Sequence, residues 1–131
     1  MREFIQYSLH FNVWPSQNNT KVAMELEQAH QIFNMINNSG HQPLVNSLLK
    51  TAVRYSRLRV DWYFSDQEQR IEMDEKRTIS HNAFISACDI LSRNMKDAGE
   101  DSQWRLHIGT ERKSIGDFAC MLNAVICLNA R

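Results

Sequence analysis

Apolar residues recur at helical spacing along most of the chain, and their first stripe follows the polar run 16–19. It consists of Val22, Leu26, Ala29, Phe33 and Ile36. Steps of four and three place these side chains on one side of an α-helix. Asn19 or Thr20 can cap this helix, and Gly40 is its expected stop.

Two further long stripes predict two further helices. Pro43 opens the first, because proline is tolerated in the first turn of a helix. Its apolar stripe is Leu44, Leu48, Thr51, Tyr55, Leu58 and Trp62. The second runs from Asp74 or Thr78 to Ala98, and Gly99 closes it. Its expected inner face is His81, Phe84, Ile85, Cys88, Leu91 and Met95.

Shorter elements fill the rest of the C-terminal half. The segment 65–68 has the form of a capping box, and the charged run that follows, to Arg77, predicts a short helix or an ordered connection. A short helix is expected from Ser102 to Gly109, and Thr110 or Ser114 can cap a last helix.

The last helix, residues 115–128, is apolar all round, with Asp117 and Asn123 as its plainly polar side chains. Such a helix is a buried one, and it is too short to span a bilayer. Few other helices are available to surround it, so a homodimer that shares it is expected. Gly116, Ala119 and Cys120 are small enough to permit close backbone approach on one side.

Near the N-terminus, apolar residues alternate with polar ones over residues 5–13, the pattern of a half-buried β-strand. Its partner is a second chain or one of three segments that alternate briefly, 58–64, 71–73 and 104–108. The whole chain of 131 residues therefore predicts one mainly α domain, a four- to five-helix bundle with a short N-terminal strand.

Composition restricts the function classes. Fifteen basic and fifteen acidic side chains give a net charge of zero, so no global field draws the protein to nucleic acid or anionic lipid. Polar residues interrupt the apolar ones in 3–14, so no secretion signal is predicted, and a cytoplasmic protein without membrane contact is expected. The three cysteines lie in apolar segments and form no C-x-x-C pair, which indicates buried free thiols.

No motif for a metal or a cofactor is present, and none is expected. Glu27 and His30 have the Glu-x-x-His spacing of di-iron bundles, but those sites need two such units, and this chain has one. The five histidines include no H-x-x-x-H pair, and phosphate-loop and nucleophile-elbow motifs are missing.

Two ionisable residues lie on apolar helices, where each must find a partner or shift its pKa. They are His81 and Asp117. Either could act as an acid or a base, but a polar network that orients the helices is the favoured interpretation. The candidate partners for Asp117 are Arg54, Arg57, Arg59 and Arg77.

A basic strip on the second helix could hold a phosphate backbone. It consists of Lys50, Arg54 and Arg57, with Tyr55, Trp62 and Tyr63 close by. A solvated helix face is the favoured alternative, because the net charge is neutral. A smaller basic cluster comprises Arg105, Arg112 and Lys113, and the same alternative applies to it.

Four stretches carry a resemblance to a known group: RYSRLRVDW at 54–62, RTISHNAFI at 77–85, Trp104, and IGDFAC at 115–120. Together they resemble a group of uncharacterised small bacterial proteins of mobile-element or phage context. The resemblance covers about residues 50–125 and implies a bacterial accessory protein, but no catalytic residue.

The leading hypothesis is a non-enzymatic interaction or regulatory protein that self-associates through its last helix. A nucleic-acid-binding accessory protein that uses the basic strip is the alternative. Inhibition of a host defence protein is a variant suggested by the resemblance. An enzyme built on His81 and Asp117 ranks third.

Overall fold

The computed structural model describes residues 19–129, in which five α-helices and no strand occur. The helices are α1 (Asn19–Asn37), α2 (Gln42–Tyr63), α3 (Gln67–Asp97), α4 (Trp104–Ile108) and α5 (Arg112–Asn129). The mainly α bundle expected from the sequence is therefore confirmed. The strand predicted for 5–13 lies outside the described residues. Its three candidate partner segments lie within helices or at their ends.

The first half of α3 corrects one prediction. The helix begins at Gln67, so the start expected at Asp74 or Thr78 was wrong, and the charged run is continuous with the long helix. Asp66 Oδ1 accepts a hydrogen bond from the Gln69 backbone N–H, and Gln69 Oε1 accepts one from the Asp66 backbone N–H. This capping box starts the helix one residue later than the sequence pattern implied. Charged residues then continue α3 as a solvated helix.

The ends of the two long helices are defined by an arginine at α2 and by a glycine at α3. Arg70 donates hydrogen bonds to the carbonyl oxygens of Trp62 and Tyr63, both at 2.9 Å, and so satisfies the last turn of α2. Gly99 follows α3 at φ +78°, a conformation that favours glycine, and the Glu100 N–H bonds back to the carbonyl of Met95. The sequence stop at Gly99 is confirmed.

The core surrounds α5, which packs mainly against α2 and α1 and also touches α3 and α4. Its buried residues are Ile115, Gly116, Phe118, Ala119, Cys120, Met121, Leu122, Ala124 and Val125. The expected buried last helix is therefore present, but one chain is enough to bury it. Self-association stays a prediction that the burial of α5 no longer requires.

The small residues of α5 face α2. Ser56 Oγ lies 3.6 Å from Cys120 Sγ, and the guanidinium of Arg59 lies over Gly116. The close backbone approach expected along this side of α5 is thus made by α2 of the same chain. Within the residues described, no helix is long and apolar enough to cross a membrane.

Candidate functional site

A cationic pocket lies where the C-terminal part of α2, the middle of α3 and the start of α5 meet. Its volume is about 340 Å³. Its walls are formed by Tyr55, Arg59, Trp62, Tyr63, Arg77, Arg112 and Lys113. Four of these side chains carry a positive charge at neutral pH.

Trp62 positions Arg77 in this pocket. The guanidinium groups of Arg70 and Arg77 both lie over its ring, each 4.2 Å from the ring centroid. Arg70 is held by the carbonyl oxygens at the end of α2, as described above. The cation–π contact with Trp62 therefore holds the Arg77 guanidinium at the pocket wall.

Arg59 connects the pocket to α5. Its Nη2 lies 2.8 Å from Asp117 Oδ1, and the two side chains are only 11% and 18% exposed. Its Nη1 lies 3.9 Å from Cys120 Sγ. A Cβ added at Gly116 would lie 2.8 Å from the same Nη1, closer than real Cβ atoms approach other heavy atoms. The absence of a side chain at Gly116 is thus what lets Arg59 lie on α5.

The start of α5 adds a further positive field. Arg112 and Lys113 are its first two residues, and no acidic residue lies in the first turn. The N-terminal end of a helix already carries a partial positive charge and unpaired backbone N–H groups. Cations placed there are unfavourable unless an anion compensates them. This end of α5 therefore favours negative charge in the pocket.

Unsatisfied polar atoms concentrate around the same place. Among the described residues, five buried side-chain nitrogen or oxygen atoms have no hydrogen-bond partner. They are Trp62 Nε1, Arg77 Nε, His81 Nε2, Asp117 Oδ1 and Trp104 Nε1. The first two belong to pocket walls, and His81 and Asp117 contact wall residues. Asp117 keeps its ion pair with Arg59, although that oxygen accepts no well-aligned hydrogen bond. Buried polar atoms without hydrogen-bond partners are uncommon in native proteins, so a group of them requires an explanation.

His81 lies behind the pocket and is 8% exposed. Its ring meets the edge of Tyr55 at a centroid distance of 5.2 Å, and its Nδ1 is 3.5 Å from Asn82 Oδ1. Burial lowers the pKa of His81, and the charges of Arg112 and Arg77 lower it further against the opposing effect of Asn82. His81 is therefore a neutral ring at pH 7.

We expect His81→Gln to flatten the acid side of the stability profile. A histidine whose pKa is lowered by folding binds fewer protons than in the unfolded chain. Its contribution to stability is full above the unfolded pKa of about 6.5 and is lost as the pH falls toward the folded pKa. One proton changes the free energy of unfolding by at most about 1.4 kcal/mol per pH unit.

Urea unfolding at several values between pH 7.5 and pH 5 measures this effect. The wild type should lose more free energy of unfolding than the variant, because the variant lacks the ring whose pKa is lowered by folding. Equal losses would contradict an acid-sensitive His81.

The other residues singled out by the sequence are divided between two sides of α2. Lys50, Arg54 and Arg57 are exposed and lie on the side opposite Arg59. This basic strip lines an open groove of about 590 Å³, and Val53 and Leu58 line the same groove. Tyr55 is buried at 1% exposure, and Trp62 faces the cationic pocket. The basic strip and its two aromatic neighbours therefore do not form one surface.

The polar network has fewer members than the sequence candidates. Arg59 is the partner of Asp117, while Arg54 and Arg57 point away into solvent and Arg77 lies across the pocket. Within the described part of the chain, no hydrogen bond or ion pair joins His81 to Asp117. Sequence reasoning missed that Arg112 and Lys113 share a pocket with Arg77. Two cations in the first turn of a helix are the signal that could have indicated it.

Thiol and metal chemistry find little support in this region. Burial raises the pKa of the Cys88 thiol to about 12 and also raises that of Cys120, so both stay protonated. Cys127 is exposed, which corrects the expectation that all three thiols are buried. Residues 19–129 contain no group of three side chains that could hold a metal ion.

Arg105 belongs to neither basic surface. Its Nε donates to Asp89 at 2.6 Å and its Nη1 to the Gly109 carbonyl, so it fastens α4 to α3.

No family model, curated protein or solved structure matches this chain. The chemistry of the pocket's own residues therefore carries the functional proposal.

Proposed function

We propose that this chain is a non-enzymatic accessory protein that acts by binding, and that the cationic pocket takes an anionic ligand. The observation that carries this proposal is the collection of four cationic side chains around one depression at the start of α5. Among the residues described, Asp117 forms an ion pair with Arg59, and the exposed Asp74 lies 3.9 Å from Arg77.

The electrostatics of Arg77 support a bound anion. Burial lowers the pKa of Arg77, Tyr55 opposes this effect, and the nearby positive charge of Arg112 lowers it further. Holding these cations together without an anion costs free energy through repulsion and lost hydration. A ligand with negative charge offsets this repulsion, so the charges around the pocket favour an anion.

Binding, rather than catalysis, agrees with how the titratable groups are used. Asp117 holds Arg59 in place, and the neutral His81 packs against Tyr55. Each has a structural role that involves no proton transfer. The cations, for their part, supply charge and N–H donors, which are the groups that retain an anion.

Thermal unfolding in inorganic phosphate, at ionic strength held constant with NaCl, tests this function. A ligand that binds the folded state raises its stability by RT ln(1 + [L]/Kd). We expect a saturating rise in Tm for the wild type and for Arg93→Met, in which an exposed arginine of the same helix is replaced. Arg77→Met should show no such rise. Equal curves for all three proteins, or no rise at all, would refute an anion site here.

Nucleic-acid binding is the second candidate, and the exposed strip of Lys50, Arg54 and Arg57 favours it. None of the three forms an ion pair with any residue described, and they border the open groove. Such a strip would bind phosphates non-specifically, with an affinity that falls steeply with salt. Arg54→Ala should weaken DNA binding at low salt, while Arg77→Met leaves it unchanged. If neither DNA nor RNA binds, this candidate is rejected.

Self-association stays a proposal, and it needs a surface other than α5, because α5 is buried within one chain. Light scattering at tens of micromolar protein measures it directly. Inhibition of a host defence protein remains a variant of the binding role and adds no separate residue to the site.

A further inference from the structure

We infer that the groove along α2 binds the outer face of α3 on a second copy of this chain. The inference rests on the self-association proposed above and names its surface, and it does not depend on an anion in the cationic pocket. Three features support it: the positive charge of the groove, the negative charge of the α3 face, and the apolar side chains in both.

The groove combines an apolar part with exposed cations. Among the residues described, its lining is Lys50, Val53, Arg54, Arg57 and Leu58. Val53 and Leu58 are half-buried, whereas the three basic side chains are exposed. No acidic residue occurs in 42–60, and none of these three cations forms an ion pair with a described residue. The groove therefore offers positive charge beside apolar surface.

The first half of α3 carries the opposite charge on its outer side. Steps of three and four residues place five exposed side chains on one side of the helix. This acidic face consists of Glu68, Ile71, Glu72, Glu75 and Ile79. The two isoleucines are 68% and 60% exposed, and the three carboxylates form no ion pair with a described residue. Lys76 lies at the edge of the face and leaves it net negative.

The two surfaces match each other in charge and in polarity. Three unpaired cations in the groove meet three unpaired carboxylates on the acidic face, and the half-buried Val53 and Leu58 meet exposed isoleucines. Interfaces of this kind have an apolar centre and a polar rim, and opposite charges select the partner. The net charge of the chain is zero, so two copies approach without overall repulsion.

Other occupants match the groove less well. Residues 1–18 of the chain contain one acidic side chain, Glu3, which cannot balance three cations. A nucleic-acid backbone supplies negative charge but no apolar surface for Val53 and Leu58. Tyr55, the aromatic residue of this part of α2, is 1% exposed and cannot stack on a base. The acidic face of a second copy satisfies both the charge and the apolar part.

The contact joins two different surfaces, so it is heterologous, with the groove of one copy against the acidic face of the next. Each surface comprises five residues, fewer than the roughly 20–30 per side of a standard interface. We therefore expect a dissociation constant on the order of tens of micromolar. Added NaCl should raise it, because salt screens exposed charges.

Light scattering from a few to a few hundred micromolar protein tests the inference. The mass of the wild type should rise with concentration. Arg54→Glu and Glu72→Lys change the central residues of the two surfaces, and each should raise the dissociation constant at least about tenfold, because like charges then meet. Glu27→Lys is the matched control, a charge reversal at an exposed residue of α1, and it should associate like the wild type.

A mixture of the two variants provides the decisive measurement. The intact groove of the Glu72→Lys protein can meet the intact acidic face of the Arg54→Glu protein, so this contact is native in every residue. An equimolar mixture should therefore associate with wild-type affinity, although each variant alone is monomeric at the same concentration. Both changed side chains are exposed, so circular dichroism should show an unchanged helical fold.

The contrary outcomes are distinct from one another. A mixture that stays monomeric, or variants that associate like the wild type, would overturn the pairing of these two surfaces. A wild type that is monomeric at every concentration would overturn self-association as well, and one that binds DNA through Arg54 instead would assign the groove to nucleic acid. The anion site is judged separately, because thermal unfolding in phosphate can be measured on the monomeric variants.

Discussion

Replacing Leu122 with alanine should lower the free energy of unfolding by about 3–5 kcal/mol, the upper part of the range for a fully buried leucine. Leu122 is 0% exposed and lies in the middle of α5, the helix around which the other four described helices pack. Its truncation leaves a cavity that rigid neighbours cannot fill by collapse. Domains of this size are stable by about 5–15 kcal/mol, so a large share of the margin would be lost.

Urea unfolding followed by circular dichroism measures this loss. Leu106→Ala is the matched control, because the same chemical change occurs at a side chain that is 73% exposed on α4. We expect the control to stay within about 0.5 kcal/mol of the wild type. Similar losses in the two variants would mean that α5 does not form the centre of the core in solution.

Gly116→Ala should weaken anion binding in the pocket while leaving the protein folded. The added Cβ would lie 2.8 Å from Arg59 Nη1 and 3.0 Å from Cζ, so the guanidinium must move. The far end of a flexible side chain can move at little cost, and alanine is favoured over glycine in a helix by about 0.8–1 kcal/mol. The fold should therefore persist with a stability within about 1 kcal/mol of the wild type. Phosphate affinity should fall about tenfold, since Arg59 leaves its position.

Calorimetric titration with inorganic phosphate, beside urea unfolding of the same sample, measures the two effects separately. Asn123→Ala provides the control for a change of helix propensity within α5, away from the pocket walls. It should retain wild-type phosphate affinity. A Gly116→Ala protein that binds phosphate as well as the wild type would remove Arg59 from the proposed site.

Helical periodicity alone predicted much of the fold, but it did not identify every buried helix face. Phe33 and Ile36 of the α1 stripe and Phe84 and Leu91 of the α3 stripe are buried as expected. In α2 the buried side also includes Val45, Ala52 and Ser56, whereas Thr51 and Leu58 of the expected stripe are only partly buried. This helix contacts both α3 and α5, so it buries two sides, and a single stripe describes only one.

The sequence indicated parts of the site without assembling them. It identified Asp117 as a charge in need of a partner, but four arginines were equal candidates. The choice depends on which side of α2 faces α5, and that side is defined by Tyr55 and Ser56, one helical turn before Arg59. Arg77, Trp62 and Arg112 lie on three different helices, and their meeting depends on tertiary packing that no local pattern contains.

The two cations in the first turn of α5 have a thermodynamic consequence for the whole bundle. They make the start of the central helix locally frustrated, because its own charges oppose the dipole at the end where Arg112 and Lys113 lie. A bound anion would add acceptor atoms and negative charge at the start of the helix on which the core is built. Anion binding would then be coupled to the order of the α5 start and, through the Arg59–Asp117 ion pair, to α2.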